Sequence, residues 1–262
     1  MGHVRLGILP ATRSWKAVVG LIADGADVKS VASATWSAAD KAFEAIQKDP
    51  GFAEASDLLT QLAVAAKKPN PSEHLATHGF ALSAHSSIAE VADAIHRTLD
   101  AKAYTRGSLT DFGEVAQNAL VGAVTSHLEN RLGPLYTPAK SEVHAELAKL
   151  GRPAEFGALA RTFFDRLSRS CLDYFLSKTL NSKVGVGHRF ATTTQVAEFQ
   201  EALAKHTHEV SAIVEKYSAE WFSSNHYKGG GEITRRKAAG FGWHAVTKIR
   251  AEMRVRSEGH AN

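Results

Sequence analysis

Apolar residues recur at steps of three and four along almost the whole chain, and that spacing confines it to packed helices. Such steps line one face of an α-helix, whereas a half-buried strand needs alternation by two. No run of alternating β-branched residues bounded by hairpin turns interrupts the pattern. The expected fold is all-α: an irregular multi-helix N-terminal half packed on a C-terminal bundle of three long helices.

Capping and breaking residues divide the first half. The segment 13–24, RSWKAVVGLIAD, runs to Gly25, and Asp27 is a good N-cap for a helix over 28–48 that stops before Asp49-Pro50-Gly51. A helix over 52–67 ends at KKPNP, where Asn70 and Pro71 open a short helix closed by Gly79. Ser87 with Glu90 reads as a capping box for 88–104, and Ser108 with Asp111 does similar work for 109–131. Thr137-Pro138 starts one more short helix, which stops at Gly151 and Pro153.

The second half is written in longer segments. From Ala154 to about Val184, the residues Phe156, Ala160, Phe163, Phe164, Leu167, Cys171, Tyr174 and Phe175 share a wide arc. At 1.5 Å per residue, a helix of roughly 30 residues reaches about 45 Å, the width of a globule of this length. From Thr192 to about His226, the set Val196, Phe199, Leu203, His206, Val210, Ile213 and Tyr217 forms a seam for neighbouring helices. Lys228-Gly229-Gly230-Gly231 breaks the chain, and a last helix over 233–256 turns Ala238, Phe241, Ala245, Ile249 and Met253 inward. A length of 262 residues suits one domain or two. A boundary, if the halves separate, falls between 1–152 and 153–262.

Composition removes several classes of function. Lys+Arg 31 against Asp+Glu 27 leaves a formal charge of +4, which admits acidic partners without the dense basic loading of an obligate nucleic-acid binder. The single cysteine, Cys171, can build neither an internal disulfide nor a multi-thiolate metal site, and suits a reducing compartment. No apolar run approaches the roughly 18 residues of a membrane span, and MGHVRLGILPATR is too poor in apolar residues for a signal-peptide core. The expected location is cytoplasmic, with no membrane partner. Gly2 lacks the Ser or Thr at the sixth residue that myristoylation takes, because Leu6 stands there.

The strongest candidate surface lies on the last helix, where Arg236, Trp243, Arg250 and Arg254 fall within about 40° of one another on a helical wheel. Lys237 and Lys248 form a second flank. Guanidinium groups in a row contact successive phosphates and an exposed indole stacks on a base, so the stripe fits nucleic acid. Tryptophan and arginine are also enriched at protein interfaces, and the same residues suit a solvated helix face. A second candidate is the loop Gly185-Val186-Gly187-His188-Arg189, which runs into a helix N-terminus where an anion can sit on His188 and Arg189. It lacks the third glycine of a dinucleotide fingerprint and the Lys-Ser/Thr of a P-loop.

The 13 histidines require a test for metal spacing. Glu73, His74 and His78 put two imidazoles four residues apart, and Asp93, His96 and Asp100 put three potential ligands on one helical face, yet neither set has the HExxH order of a zinc motif. No metal and no cofactor are assigned. His206 stands where a seam leucine belongs, and a buried imidazole needs a partner. Cys171 lies inside an apolar arc, no GxSxG elbow occurs, and an Arg-to-His ribonuclease spacing appears only at Arg254 and His260 in the tail. The expectation is a non-catalytic subunit or adaptor of a larger intracellular assembly, a role that suits a prokaryotic multi-gene system such as antiviral defence. It would recognise a protein partner or nucleic acid through the last helix. The alternative is an unfamiliar helical enzyme or small-ligand or anion sensor with its site near His206 or the His188-Arg189 loop, which requires a cavity that collects those groups.

Overall fold

The computed structural model describes residues 12–83, 85–106, 110–133 and 138–258. Among these residues there are eleven helices and no strand: α1 (Arg13–Ala23), α2 (Val28–Ala38), α3 (Asp40–Ile46), α4 (Pro50–Ala65), α5 (Pro71–Thr77), α6 (Ile88–Arg106), α7 (Asp111–Leu132), α8 (Lys140–Lys149), α9 (Pro153–Asn181), α10 (Thr193–Lys228) and α11 (Arg235–Glu258). The fold is all-α, and the expected contrast of short helices first and long ones last holds only in part, because α6 and α7 run 19 and 22 residues against 29, 36 and 24 for α9, α10 and α11. None of the described helices is long and apolar enough to cross a membrane.

Local chemistry accounts for the helix starts. Asp27 accepts hydrogen bonds from the amides of Lys29 and Ser30, Asp49 from Phe52, and Thr192 from Gln195. Ser87 and Glu90 form the reciprocal box: the Ser87 amide donates to Glu90 Oε2 at 2.6 Å and the Glu90 amide to Ser87 Oγ at 3.3 Å. Ser108 and Thr137 lie outside the described residues, and α7 is capped by Thr110, whose Oγ1 accepts from the Gly113 amide. Asn70 makes no cap bond and donates to Glu73 instead. The single helix expected over 28–48 divides at Ala39 into α2 and α3, and across the break Trp36 stacks on Phe43 with ring centroids 3.9 Å apart.

The long helices pack as an up-down-up set, α9 against α10 and α10 against α11. Their expected inward residues are buried, except that Tyr217 is half-buried and two others are exposed. Tyr174 and Ile213 face outward, and Val214 takes the seam position beside Val210. The three rings Phe156, Trp221 and Phe241 gather where α9, α10 and α11 meet. Contacts cross residue 152 widely, since α9 lies on α7 and α11 lies on both α4 and α2, and one cluster of buried apolar residues runs through both halves.

α4 packs against α5, α6, α7 and α11. Every residue from Glu54 to Ala65 is buried, so it has no solvated face. Small residues permit this. Gly242 of α11 lies so close that a Cβ there would meet Phe52 Cζ at 2.9 Å, and a Cβ on Gly51 would stand 2.5 Å from Gly113 Cα, where the N-termini of α4 and α7 touch.

His206 sits in the seam among α2, α10 and α11, and neither ring nitrogen has a hydrogen-bond partner. Burial lowers its pKa below the usual 6.5, Lys29 and Arg256 push the same way, and Glu209 and Asp27 only partly oppose them. His74, His127 and His226 are lowered too, each chiefly by burial. A histidine depressed by folding is protonated in the unfolded chain while still neutral in the folded one. Stability therefore falls as pH drops below about 6.5, until the folded-state pKa is passed. His206→Leu should raise stability by about 1 kcal/mol at neutral pH, by removing an unpaired buried polar group, and by more in mild acid. Urea denaturation at about pH 7.5 and about pH 5.5 checks this, and an unchanged pH slope would exclude His206 as a contributor.

Candidate functional site

One face of α4 carries Glu54, Asp57 and Gln61 at helical spacing, and all three are buried. Glu54, only 3% exposed, is met by cations from two other helices. Lys102 Nζ of α6 lies 2.9 Å from Oε2, Arg235 Nε of α11 lies 2.7 Å from Oε1, and Arg106 of α6 also pairs with Oε1. Burial alone would raise the carboxyl pKa. The hydrogen bond from Lys102 and the charges of Lys102, Arg235 and Arg106 outweigh it, so Glu54 is held below the usual carboxylate value. One turn on, Asp57 lacks such company. Its pKa is raised by burial, which outweighs a 3.2 Å hydrogen bond donated by Gln61 Nε2 and the charges of Lys102 and His78.

Gln61 continues the polar row away from Glu54. Its amide also donates to the Ile233 carbonyl at 2.9 Å, and its Oε1 accepts from His74 Nε2 at 3.0 Å. Lys68 pairs with Glu232 beside this contact, so the chain entering α11 is tied to α4 and to the turn that follows it.

Beside Glu54 opens a cavity of about 300 Å³ between α6 and α7, with the first turn of α4 as its floor. Lys102 and Arg106 line one end together with Glu54, Thr110 and the glycines Gly51 and Gly113. The other end is lined by His96, Asp100, Gln117 and Asn118, with Glu114 on the wall. Gln117 Nε2 braces that end, donating to Asp100 Oδ1 at 2.8 Å and to His96 Nδ1 at 3.0 Å. Leu99, Ala103 and Pro50 supply the apolar lining. A small concave hollow with converging polar groups is the usual form of a ligand site.

Of the residues singled out from sequence, His96 and Asp100 of the second histidine set line this cavity, and none of the α11 stripe, the His188-Arg189 loop or His206 does. On α11, Arg236, Lys237 and Arg254 are exposed, Arg254 lying 3.9 Å from Glu258, while Lys248 stands 4.9 Å over the Tyr217 ring. Trp243 is half-buried against the core, and Arg250 is half-buried in an ion pair with Asp40 of α3. The stripe is thus partly drawn into the fold. His188 is exposed, but Arg189 donates to the carbonyls of Ile22 at 3.1 Å and Ala26 at 2.7 Å and lies over Phe190 and Phe199. That guanidinium pins the α9–α10 loop to the α1–α2 turn. His206 lies in helix packing, remote from the cavity lining.

The two histidine sets do not gather into metal centres: the His74 and His78 rings lie 4.9 Å apart with their planes tilted by 45°, His74 is engaged by Gln61, and Asp93 pairs with Arg97. Among the described residues no three His, Cys, Asp or Glu side chains converge for a metal ion. Cys171 is buried and its thiol pKa is pushed up by desolvation. His260 lies outside the described residues, as do Gly2 and Leu6.

Sequence reasoning missed Glu54, Lys102, Arg106 and Arg235. One signal was available: the stretch PGFAEASDLLTQLAVAA from Pro50 to Ala66 contains two carboxylates, one amide (Gln61), no base and otherwise small or apolar residues. A helix so composed is buried all round, and its carboxylates must find partners. Comparison with protein-family models, curated proteins and solved structures yields no match to this chain.

The two carboxylates should respond oppositely to neutralisation. Asp57→Asn keeps the acceptor for Gln61 and removes a charge that burial disfavours, so it should stabilise by about 1 kcal/mol at neutral pH. That gain should vanish in acid below the normal aspartate pKa of 3.8, where Asp57 is protonated in both states. Glu54→Gln should destabilise by about 2 kcal/mol, below the 3–5 of a fully buried pair because the three cations are partly solvated. Urea melts of both variants decide the contrast.

Proposed function

We propose that this chain is a small-ligand-binding helical protein whose cavity between α4, α6 and α7 takes an acidic molecule. The observation that carries this reading is the gathering of Lys102, Arg106 and Arg235 on the single carboxylate of Glu54, with two of those cations lining the cavity. Around Glu54 itself the cations outnumber the carboxylate, while Asp100 and Glu114 carry negative charge elsewhere in the lining, so an acid would seat against Lys102 and Arg106. The reading belongs to the ligand or anion sensor class considered from sequence, at a different place in the fold. It assigns no reaction.

A ligand that binds only the folded state at a hundredfold excess over its Kd adds about 2.7 kcal/mol of stability. Small carboxylic and phosphoric acids screened by thermal shift and calorimetry should include some that raise the melting midpoint by several degrees. Neutral analogues should not, and Arg106→Gln should abolish the shift. If no acid shifts the wild-type midpoint, the reading falls.

A second reading, recognition of nucleic acid or an acidic protein by α11, is favoured by one feature. The first turn of α11 holds Arg235, Arg236 and Lys237 with no acid, at the end where the helix dipole is already positive. Binding of labelled DNA or RNA that weakens steeply with salt, and is lost on joint replacement of Arg236, Lys237 and Arg254 by alanine, is its expected signature. Equal binding by that variant would remove α11 from consideration.

A further inference from the structure

The turns α4–α5, α8–α9 and α10–α11 meet at one end of the bundle. Lys67 packs on the α8–α9 turn, where a Cβ on Gly151 would stand 2.9 Å from its Cγ. Lys68 stands at the α10–α11 turn, its Nζ 3.7 Å from the Cβ position of Gly231. Both lysines are near enough to His226 to help lower its pKa. The α10–α11 turn is closed tightly: the amides of Gly230 and Gly231 donate to the carbonyls of Tyr227 at 3.2 Å and His226 at 2.9 Å. Gly230 and Gly231 hold φ of +62° and +90°, which favours glycine at both places. The turn sets Tyr227 and Lys228 beside the first turn of α11, and the bond from Gln61 to the Ile233 carbonyl fixes it to α4. Most acids at this end are already paired. Glu232 meets Lys68, Glu146 meets Lys149 and Glu155 meets Arg131, while Glu54 takes Arg235 together with Lys102 and Arg106. Lys67, Arg152, Lys228, Arg236 and Lys237 are exposed and have no ion-pair partner among the described residues. Against these five stands Glu73, exposed and accepting from Asn70. The difference equals the formal +4 of the whole chain, so the remaining charges balance one another. Tyr227, beside them, is 87% exposed.

We infer that this end of the bundle binds single-stranded nucleic acid, its phosphates along Lys67, Arg152, Lys228, Arg236 and Lys237 and an unpaired base on the Tyr227 ring. This rests on the second reading above, that α11 meets nucleic acid, and it moves the contact from the length of the helix to the end where α11 begins. Lysine and arginine side chains without acidic partners neutralise phosphates and release the counterions condensed on them, at no cost in broken ion pairs. Arg254 does not belong to the surface, since 17 residues of helix place it about 26 Å beyond Lys237. The tyrosine narrows the partner further. A ring standing in water beside a row of cations is a platform for the face of a base, and only an unpaired base presents that face. A duplex offers the cations its phosphates and leaves the ring unused. An acidic protein meets the charges equally well and gives the ring no stacking partner of that kind. The surface is also rigid, because the closed glycine turn and the tie to α4 hold Tyr227 and the first turn of α11 in fixed relation.

Fluorescence anisotropy of the full chain with labelled oligo-dT and oligo-U tests this across a range of salt, with a DNA duplex of the same length and polyglutamate as the other arms. The expected result is that a single strand binds tenfold or more tightly than the duplex or polyglutamate. Five phosphate contacts give log Kobs a slope of about −3.5 against log salt. Joint replacement Lys67→Gln, Arg152→Gln and Lys228→Gln should weaken the strand at least tenfold and bring the slope to about −1.4. The matched replacement Lys205→Gln, Lys248→Gln and Arg254→Gln removes the same charge farther along α10 and α11, and should change affinity less than twofold. Tyr227→Leu should weaken binding about fivefold or more with the slope unchanged, and Tyr227→Trp should retain it. Duplex or polyglutamate binding as tightly as the strands, or indifference to Tyr227→Leu, would overturn the inference. Loss of binding on joint replacement of Arg236, Lys237 and Arg254, with none on replacing Lys67, Arg152 and Lys228, would overturn it too and leave the α11 reading standing. Silence from every nucleic acid at low salt would overturn the inference together with recognition of nucleic acid by α11.

Discussion

A carboxylate buried at the centre of a helical protein must be met by positive charge, and Glu54 sets where parts of two other helices lie. α6 has to present Lys102 and Arg106 one turn apart on the same side, and α11 has to begin close enough for Arg235 to reach Oε1. The arrangement is costly in isolation, since moving charges out of water is offset only by good geometry. Its partly solvated cations reduce that cost. They also leave positive charge facing an open hollow, so the interaction that holds α4, α6 and α11 together forms one end of the candidate site.

The cavity follows from how closely helices can approach. Where Gly51 meets Gly113, the first turns of α4 and α7 touch through backbone alone, and any side chain would force them apart. α6 joins them from the other side, braced by Gln117 on Asp100 and His96. Between a backbone contact below and side-chain bracing at the far end, the helices do not close, and polar groups line the gap. The hollow is therefore built by rigid elements rather than by a loop, the placement that holds site geometry most closely.

The C-terminal helix serves two purposes. Its inward face, Ala238, Phe241, Ala245, Ile249 and Met253, completes the core against α4 and α10, while its first turn crowds three basic residues at the positive end of the helix dipole. Of these, Arg235 is drawn to Glu54 and Arg236 and Lys237 remain in solvent. Further along, Arg250 is taken up by Asp40, which fastens α11 to α3. A row of like charges on a helical wheel is thus divided by its neighbours into structural and exposed members, a division that angular position alone does not contain.

The helical architecture was legible in the sequence because it depends on short-range rules: steps of three and four, caps at Asp27, Ser87 and Thr192, and breaks at proline and glycine. Phe156, Phe163 and Leu203 fall on core faces for that reason alone. The division at Ala39 escaped, since it answers to the stacking of Trp36 on Phe43 after both helices have docked. The candidate site escaped for a stronger reason. Glu54, Lys102 and Arg235 are separated by 48 and 133 residues in the chain and carry no motif spacing, so only packing brings them within hydrogen-bond distance. Arg189 shows the converse: its place before a helix suggested an anion, and the tertiary structure spent its donors on the carbonyls of Ile22 and Ala26. Periodicity by itself determined which faces must be buried; which charges meet there, and which are left toward a cavity, was decided by long-range packing, because electrostatic partners are chosen by distance in space rather than by distance along the chain.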